Sequence, residues 1–144
     1  MFAQNKMGPN DAQIQKLLSL PQESPLAVLN LFKFKDRAEY QPGDPEYNTE
    51  ASEISGREAY AIYGSSAGKL IKDLGGKIVF STPVDQILIG SDDIDWDIAA
   101  IMYFPSRQAF LKMLTDEDFK KHSRHRKAAL ANHNMIHLNG SPFV

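Results

Sequence analysis

The stretch Trp96–Phe104, WDIAAIMYF, constrains the fold more than any other part of the chain. Trp96, Ile98, Ala100, Met102 and Phe104 form one apolar row at a spacing of two. The residues between them, Ala99, Ile101 and Tyr103, are nearly as apolar. A strand with this pattern is covered on both faces. Pro105 ends the strand, and Ser106 is placed to cap a helix. A second helical piece, restarting near Thr115 and Asp118, carries the chain to about Ala131. Two polar residues, His122 and Arg126, fall at or near the apolar face of this piece.

The remaining elements follow from the same kind of pattern. Asn10 with Gln13 resembles a capping box, and Ile14, Leu17 and Leu18 give a short amphipathic helix closed by Pro21. Leu26–Lys35 reads as a strand, with Val28, Asn30, Phe32 and Phe34 on one face. Residues 36–55 are polar and broken by Pro42, Gly43 and Pro45. They form a long surface loop, suited to a lid, a partner contact or a plain insertion. Gly56–Leu74 is a helix whose apolar face holds Tyr60, Tyr63, Ala67, Leu70 and Ile71, and Gly75-Gly76 stops it. Lys77–Gly90 is extended and pairs antiparallel with the central strand. His133–Leu138 is the last strand.

Strand, helix, strand, strand, helix, strand is the α+β, ferredoxin-like split βαβ plan. It has a four-stranded antiparallel sheet with helices on one face, and here an extra N-terminal helix precedes it. Residues 1–25 are expected to be an arm and helix, and 26–144 a single domain. The helices cover one face only, so the second apolar face of the central strand needs other cover. Sheet-on-sheet packing in a two-fold homodimer supplies it.

Composition removes several function classes. With 144 residues, 42% of them hydrophobic, the chain can bury a core. Its net charge of −2 offers no general attraction to nucleic acid. Cys is absent, so neither thiolate metal sites nor thiol nucleophiles arise. No apolar run approaches the ~20 residues of a membrane span, and MFAQNKMGPNDAQ has no signal-like apolar region. These features point to a cytoplasmic protein with neither a nucleic-acid nor a membrane partner.

Gly64-Ser65-Ser66-Ala67-Gly68 matches G-x-S-x-G. It sits inside a helical pattern rather than at a strand-to-helix turn, so close helix packing explains it better than a nucleophile. His122 with His125, and His133 with His137, could belong to a metal cluster, but the helical angles place His125 off the apolar face and no metal or other cofactor is expected. Arg126 shares its stripe with Phe119, Ser123 and Leu130. A buried guanidinium is paired within the protein or holds an anion. Asn30 is a hydrogen-bonded core or edge residue or a pocket donor. Tyr60 and Tyr63 are core residues or a phenol pair facing a pocket.

The segments LNLFKF (29–34), SGREAYAIYG (55–64), GGKIV (75–79), YFPSRQAFLKML (103–114) and HRKAAL (125–130), in this order and spacing, resemble the DUF1330 family of the dimeric α+β barrel superfamily. The resemblance implies the same fold and a dimer. Its superfamily includes cofactor-independent monooxygenases, isomerases and haem enzymes with pockets between sheet and helices. It places Asn30, Tyr60, Tyr63, Arg107, His125 and Arg126 among the positions of interest. By that analogy the pocket takes a small aromatic or enolic acid without cofactor. Arg126 would steady an enolate, His122 or His125 would be the general base, and Asn30, Tyr60, Tyr63 and Arg107 would bind the ligand. The alternative is a non-catalytic ligand-binding or stress-associated dimer.

Overall fold

The computed structural model describes residues 7–140. The elements run α1 (Asp11–Ser19), β1 (Leu26–Phe34), α2 (Gly56–Asp73), β2 (Lys77–Pro83), β3 (Ile98–Phe104), α3 (Arg107–Thr115), α4 (Glu117–Ala129) and β4 (Leu130–Asn139), with one 3-10 turn at Glu50–Ser52. The strands form one sheet in the order β2-β3-β1-β4, with every neighbouring pair antiparallel. This is the ferredoxin-like plan expected from the sequence. No helix among the described residues is long and apolar enough to cross a membrane.

Local chemistry sets the boundaries. Asn10 caps α1 through a complete capping box with Gln13, and Ser55 caps α2 through one with Glu58. Ser106 caps α3 by accepting from Ala109 N. Asp116, rather than Thr115, caps α4 by accepting from Phe119 N. The helix after Ser106 and the second helical piece expected from the sequence are α3 and α4. The extended segment after Gly76 keeps strand geometry only to Pro83, short of the Gly90 expected from the sequence, with Val84 N still donating to Asp97 O.

One face of the sheet carries Val28, Asn30 and Phe32 of β1 and Ala100, Met102 and Phe104 of β3. Register aligns them with His133, Met135 and His137 of β4. Helices α2, α3 and α4 cover this face. Leu26, Val28 and Phe104 pack there with Tyr63, Ala67, Ile71, Phe110, Met113 and Phe119. The opposite face carries Leu29, Leu31, Ala99, Ile101, Tyr103, Ile136 and Leu138, and no described helix packs on it.

The 36–55 loop is pinned to the outer side of α4. Glu39 N donates to Ala128 O, and Arg124 grips Glu46 through two bonds of 2.7 and 2.9 Å. Gly56 lies where this loop, β1 and the end of α4 converge. A Cβ there would collide with the carbonyl oxygens of Lys35 and Ala129.

Candidate functional site

Between the helix-covered sheet face and the helices lies a cavity of about 1220 Å³. Its walls are mostly apolar and aromatic: Phe32 and Phe34 from β1, Tyr60 and Tyr63 from α2, and Phe110 and Phe119 from α3 and α4. Tyr60 meets Phe32 at 4.8 Å and Tyr63 at 5.4 Å, and Tyr63 in turn meets Phe119 at 5.7 Å, each pair with its rings tilted. These tilted contacts join rings from β1, α2 and α4 into one continuous wall.

The N-terminal segment forms one side of the cavity. Met7–Asn10, and Ala12, Ile14, Leu17 and Leu20 of and beside α1, all face it. Arg107 holds this segment in place, since its Nη1 donates to Pro21 O at 2.8 Å and its backbone N to Ser24 O. Of the two extra pieces, the N-terminal one therefore encloses the pocket. The polar loop 36–55, read as a possible lid, contributes nothing to the wall.

A polar cluster interrupts the apolar lining. Arg126 Nη2 lies 2.9 Å from His133 Nδ1, and His133 Nε2 lies 2.8 Å from Asn30 Oδ1. A guanidinium only donates, so His133 Nδ1 accepts. The ring is then the neutral Nε2–H tautomer, donating to Asn30 Oδ1, and this fixes which way the Asn30 amide faces. Burial, reinforced by the Arg126 charge, pushes His133 down to about 3.

Asn30 is fully buried, yet its Nδ2 has no partner. An unmet buried donor costs roughly 1–3 kcal/mol. Among the described residues no carboxylate lies within ion-pair distance of Arg126, and its one hydrogen bond is to a neutral ring. Neither the Tyr60 nor the Tyr63 hydroxyl has a hydrogen-bond partner there. Burial raises both phenols against the pull of Arg126, with Tyr63 pushed up to about 12. Both therefore stay protonated donors at neutral pH.

The structure thus brings Asn30, Tyr60, Tyr63 and Arg126 together on one cavity and leaves three expected residues outside it. His125 is buried on the far side of α4, its Nδ1 2.6 Å from the Tyr40 hydroxyl. His122 donates to Asp118 O on the exposed side of α4. Helical spacing turns both away from the stripe of Phe119, Ser123 and Arg126. Arg107 is buried under the N-terminal linker, off the wall. The two strand histidines, His133 and His137, occupy the cavity instead. Their shared face was legible in the spacing of β4, but their meeting with Asn30 depends on a pairing 103 residues away.

Gly64 and Gly68 also face the cavity rather than a helix contact. A Cβ at Gly64 would meet nothing within 4 Å, and one at Gly68 only Ile78 Cδ1 at 3.9 Å. The G-x-S-x-G stretch therefore provides open space along α2 rather than close helix packing. Among the described residues no group of three His, Asp or Glu side chains is arranged to hold a metal ion.

A family model for a domain of unknown function, DUF1330, matches residues 45–141. The crystal structure of RPA0582, a protein of unknown function from Rhodopseudomonas palustris, is 31% identical. It covers 95% of this chain and 98% of its own, with a TM-score of 0.81. Its methylated form is also 31% identical, with a TM-score of 0.83 over 99% of this chain and 100% of that one. SnoaB, a cofactor-independent oxygenase from Streptomyces nogalater, is 14% identical over 84% of this chain and 97% of its own, with a TM-score of 0.45. No curated protein matches the chain.

Proposed function

The chain belongs to the DUF1330 family, and we propose that it binds a small aromatic or enolic acid in the cavity between sheet and helices. The observation that carries this reading is Arg126. It is a permanent cation on the wall of an aromatic cavity, with a neutral imidazole in place of a carboxylate. A carboxylate or enolate oxygen would supply the missing charge, and a second oxygen would meet the unpartnered Asn30 Nδ2. The hydroxyls of Tyr60 and Tyr63 are donors suited to further oxygens, and the phenyl walls suit a planar apolar body.

The same donors favour an enolate over its parent acid, because they are fixed before charge develops. Enolate formation is a first step shared by cofactor-independent monooxygenation and by isomerisation. A non-catalytic ligand-binding dimer uses the same contacts and differs only in turnover.

The test is a thermal-shift comparison of aromatic carboxylic acids with their neutral amides, on wild type and Arg126→Gln. An acid at ~100 times its dissociation constant stabilises the wild type by about 2.7 kcal/mol, a shift of several degrees. The amide shifts it far less, and the acid shift disappears in Arg126→Gln. Equal shifts from acid and amide would overturn the reading.

The protein is further proposed to act as a homodimer joined through the open sheet face. Leu29, Leu31, Ala99 and Ile101 of the two central strands lie there with the exposed Ile136 and Leu138. An apolar area of this kind on a monomer is unusual. The expected mass in solution is that of two chains. Ile136→Glu, at a position 46% exposed in the single chain, should leave the fold intact and give a monomer by light scattering.

A further inference from the structure

His137 is the one cavity imidazole left unused by the polar cluster. It lies on the same face of β4 as His133 and lines the same wall. Neither ring nitrogen has a hydrogen-bond partner among the described residues, and the ring is held edge-on by Phe110 at 4.7 Å. His133, by contrast, has both nitrogens committed, to Arg126 and to Asn30. Of the two cavity histidines, only His137 can therefore exchange a proton with a molecule in the cavity without breaking an existing bond.

Register sets out these groups in a row. Phe32 pairs with His133, Asn30 with Met135, and Val28 with His137. Asn30 thus stands between the two histidines, a diagonal neighbour of each at roughly 7 Å. The histidines are about 13 Å apart along the strand. Arg126 sits at the His133 end. Along the strand the order is a cation, the buried Asn30 amide with its unpartnered N–H, and the His137 imidazole. An α-keto acid presents the matching order of carboxylate, carbonyl oxygen and an adjacent C–H.

We infer that His137 is the catalytic base of this cavity, abstracting a proton from the carbon next to the carbonyl of an aromatic α-keto acid. The inference rests on the acid-binding reading of the same cavity. The C–H bond breaks and its proton passes to the free ring nitrogen of His137. The electron pair forms the C=C bond of the enolate, whose oxygen carries the charge against Asn30 Nδ2–H and Arg126. Return of a proton from the imidazolium to carbon restores the neutral ring, so no oxidant or co-reactant enters. Burial and, secondarily, the Arg107 charge hold His137 below its ordinary value, so the ring is neutral and able to accept at pH 7.

Phenylpyruvate in D2O serves as the probe. Loss of its benzylic proton signal is followed by NMR, and its binding by calorimetry, for wild type, His137→Asn, His137→Gln and Arg126→Gln. The wild type should exchange the proton faster than buffer. Both His137 variants should still bind phenylpyruvate but lose roughly 10²–10⁴-fold in exchange rate. Arg126→Gln should lose binding. Exchange at the wild-type rate in a folded His137 variant overturns the assignment, and so does binding by wild type with no exchange above buffer, which leaves the binding reading standing. Absence of wild-type binding overturns both.

Discussion

Replacing Gly64 and Gly68 together by leucine should give a protein that is more stable and binds phenylpyruvate at least tenfold more weakly than wild type. Glycine in a helix interior costs about 1 kcal/mol relative to good helix formers. Two such residues within α2 therefore cost the fold about 2 kcal/mol, roughly 5 °C or more in a domain of this size. Nothing in the packing requires them, since the space at both positions is open and both backbones are helical. What they preserve is volume in the cavity beside Tyr60, Tyr63 and Ala67. Leucine side chains at these positions would occupy that volume, bury themselves and exclude the apolar body of the ligand. Thermal melts and calorimetry on the double variant check both halves of this expectation. Unchanged affinity would mean that the ligand lies elsewhere.

Stability should also fall steeply on acidification because of His133. Its native value near 3 stands well below the ordinary 6.5. The unfolded chain therefore takes up a proton that the native chain excludes. The contribution is fully present above about pH 6.5 and is lost as the pH falls toward 3, at up to about 1.4 kcal/mol per pH unit. The physical cause is geometric. A doubly protonated ring would set its Nδ1–H against the N–H of Arg126, 2.9 Å away, inside a buried site. Denaturant melts between pH 7 and 4 measure the slope. His133→Gln keeps one acceptor for Arg126 and one donor for Asn30, cannot titrate, and should flatten this limb. An unchanged slope in that variant would assign the acid sensitivity to other groups.

The fold was legible because its signals are local. Alternation through β3, the Asn10–Gln13 cap and the Gly75-Gly76 stop each act within a few residues, and the order of elements then leaves few topologies. The site was legible only in part. Arg126 and Asn30 stood out as polar residues on apolar faces, and Tyr60 and Tyr63 share one helical stripe, so periodicity alone could nominate all four. His133 was visible only as half of a strand pair. Its role depends on Phe32 lying opposite it in the sheet, a register that no local pattern encodes. His122 and His125 drew interest as histidines near Arg126, but a turn of 100° per residue directs them to solvent and to Tyr40. Gly64 and Gly68 show the converse case. Small residues at helical spacing usually mean close packing, and only the tertiary structure reveals that no neighbour fills the gap. The N-terminal stripe of Ile14 and Leu17 announced a docked helix without showing that it roofs the pocket.

The central claim is that Arg126 and Asn30 together receive an acid inside the cavity. A crystal structure of the wild-type protein with phenylpyruvate tests it most directly. The carboxylate is expected on the Arg126 guanidinium, a ligand oxygen within hydrogen-bond distance of Asn30 Nδ2, and the phenyl ring against the open backbone of Gly64 and Gly68. A ligand bound outside the cavity, or one inside it whose carboxylate avoids Arg126, would contradict it.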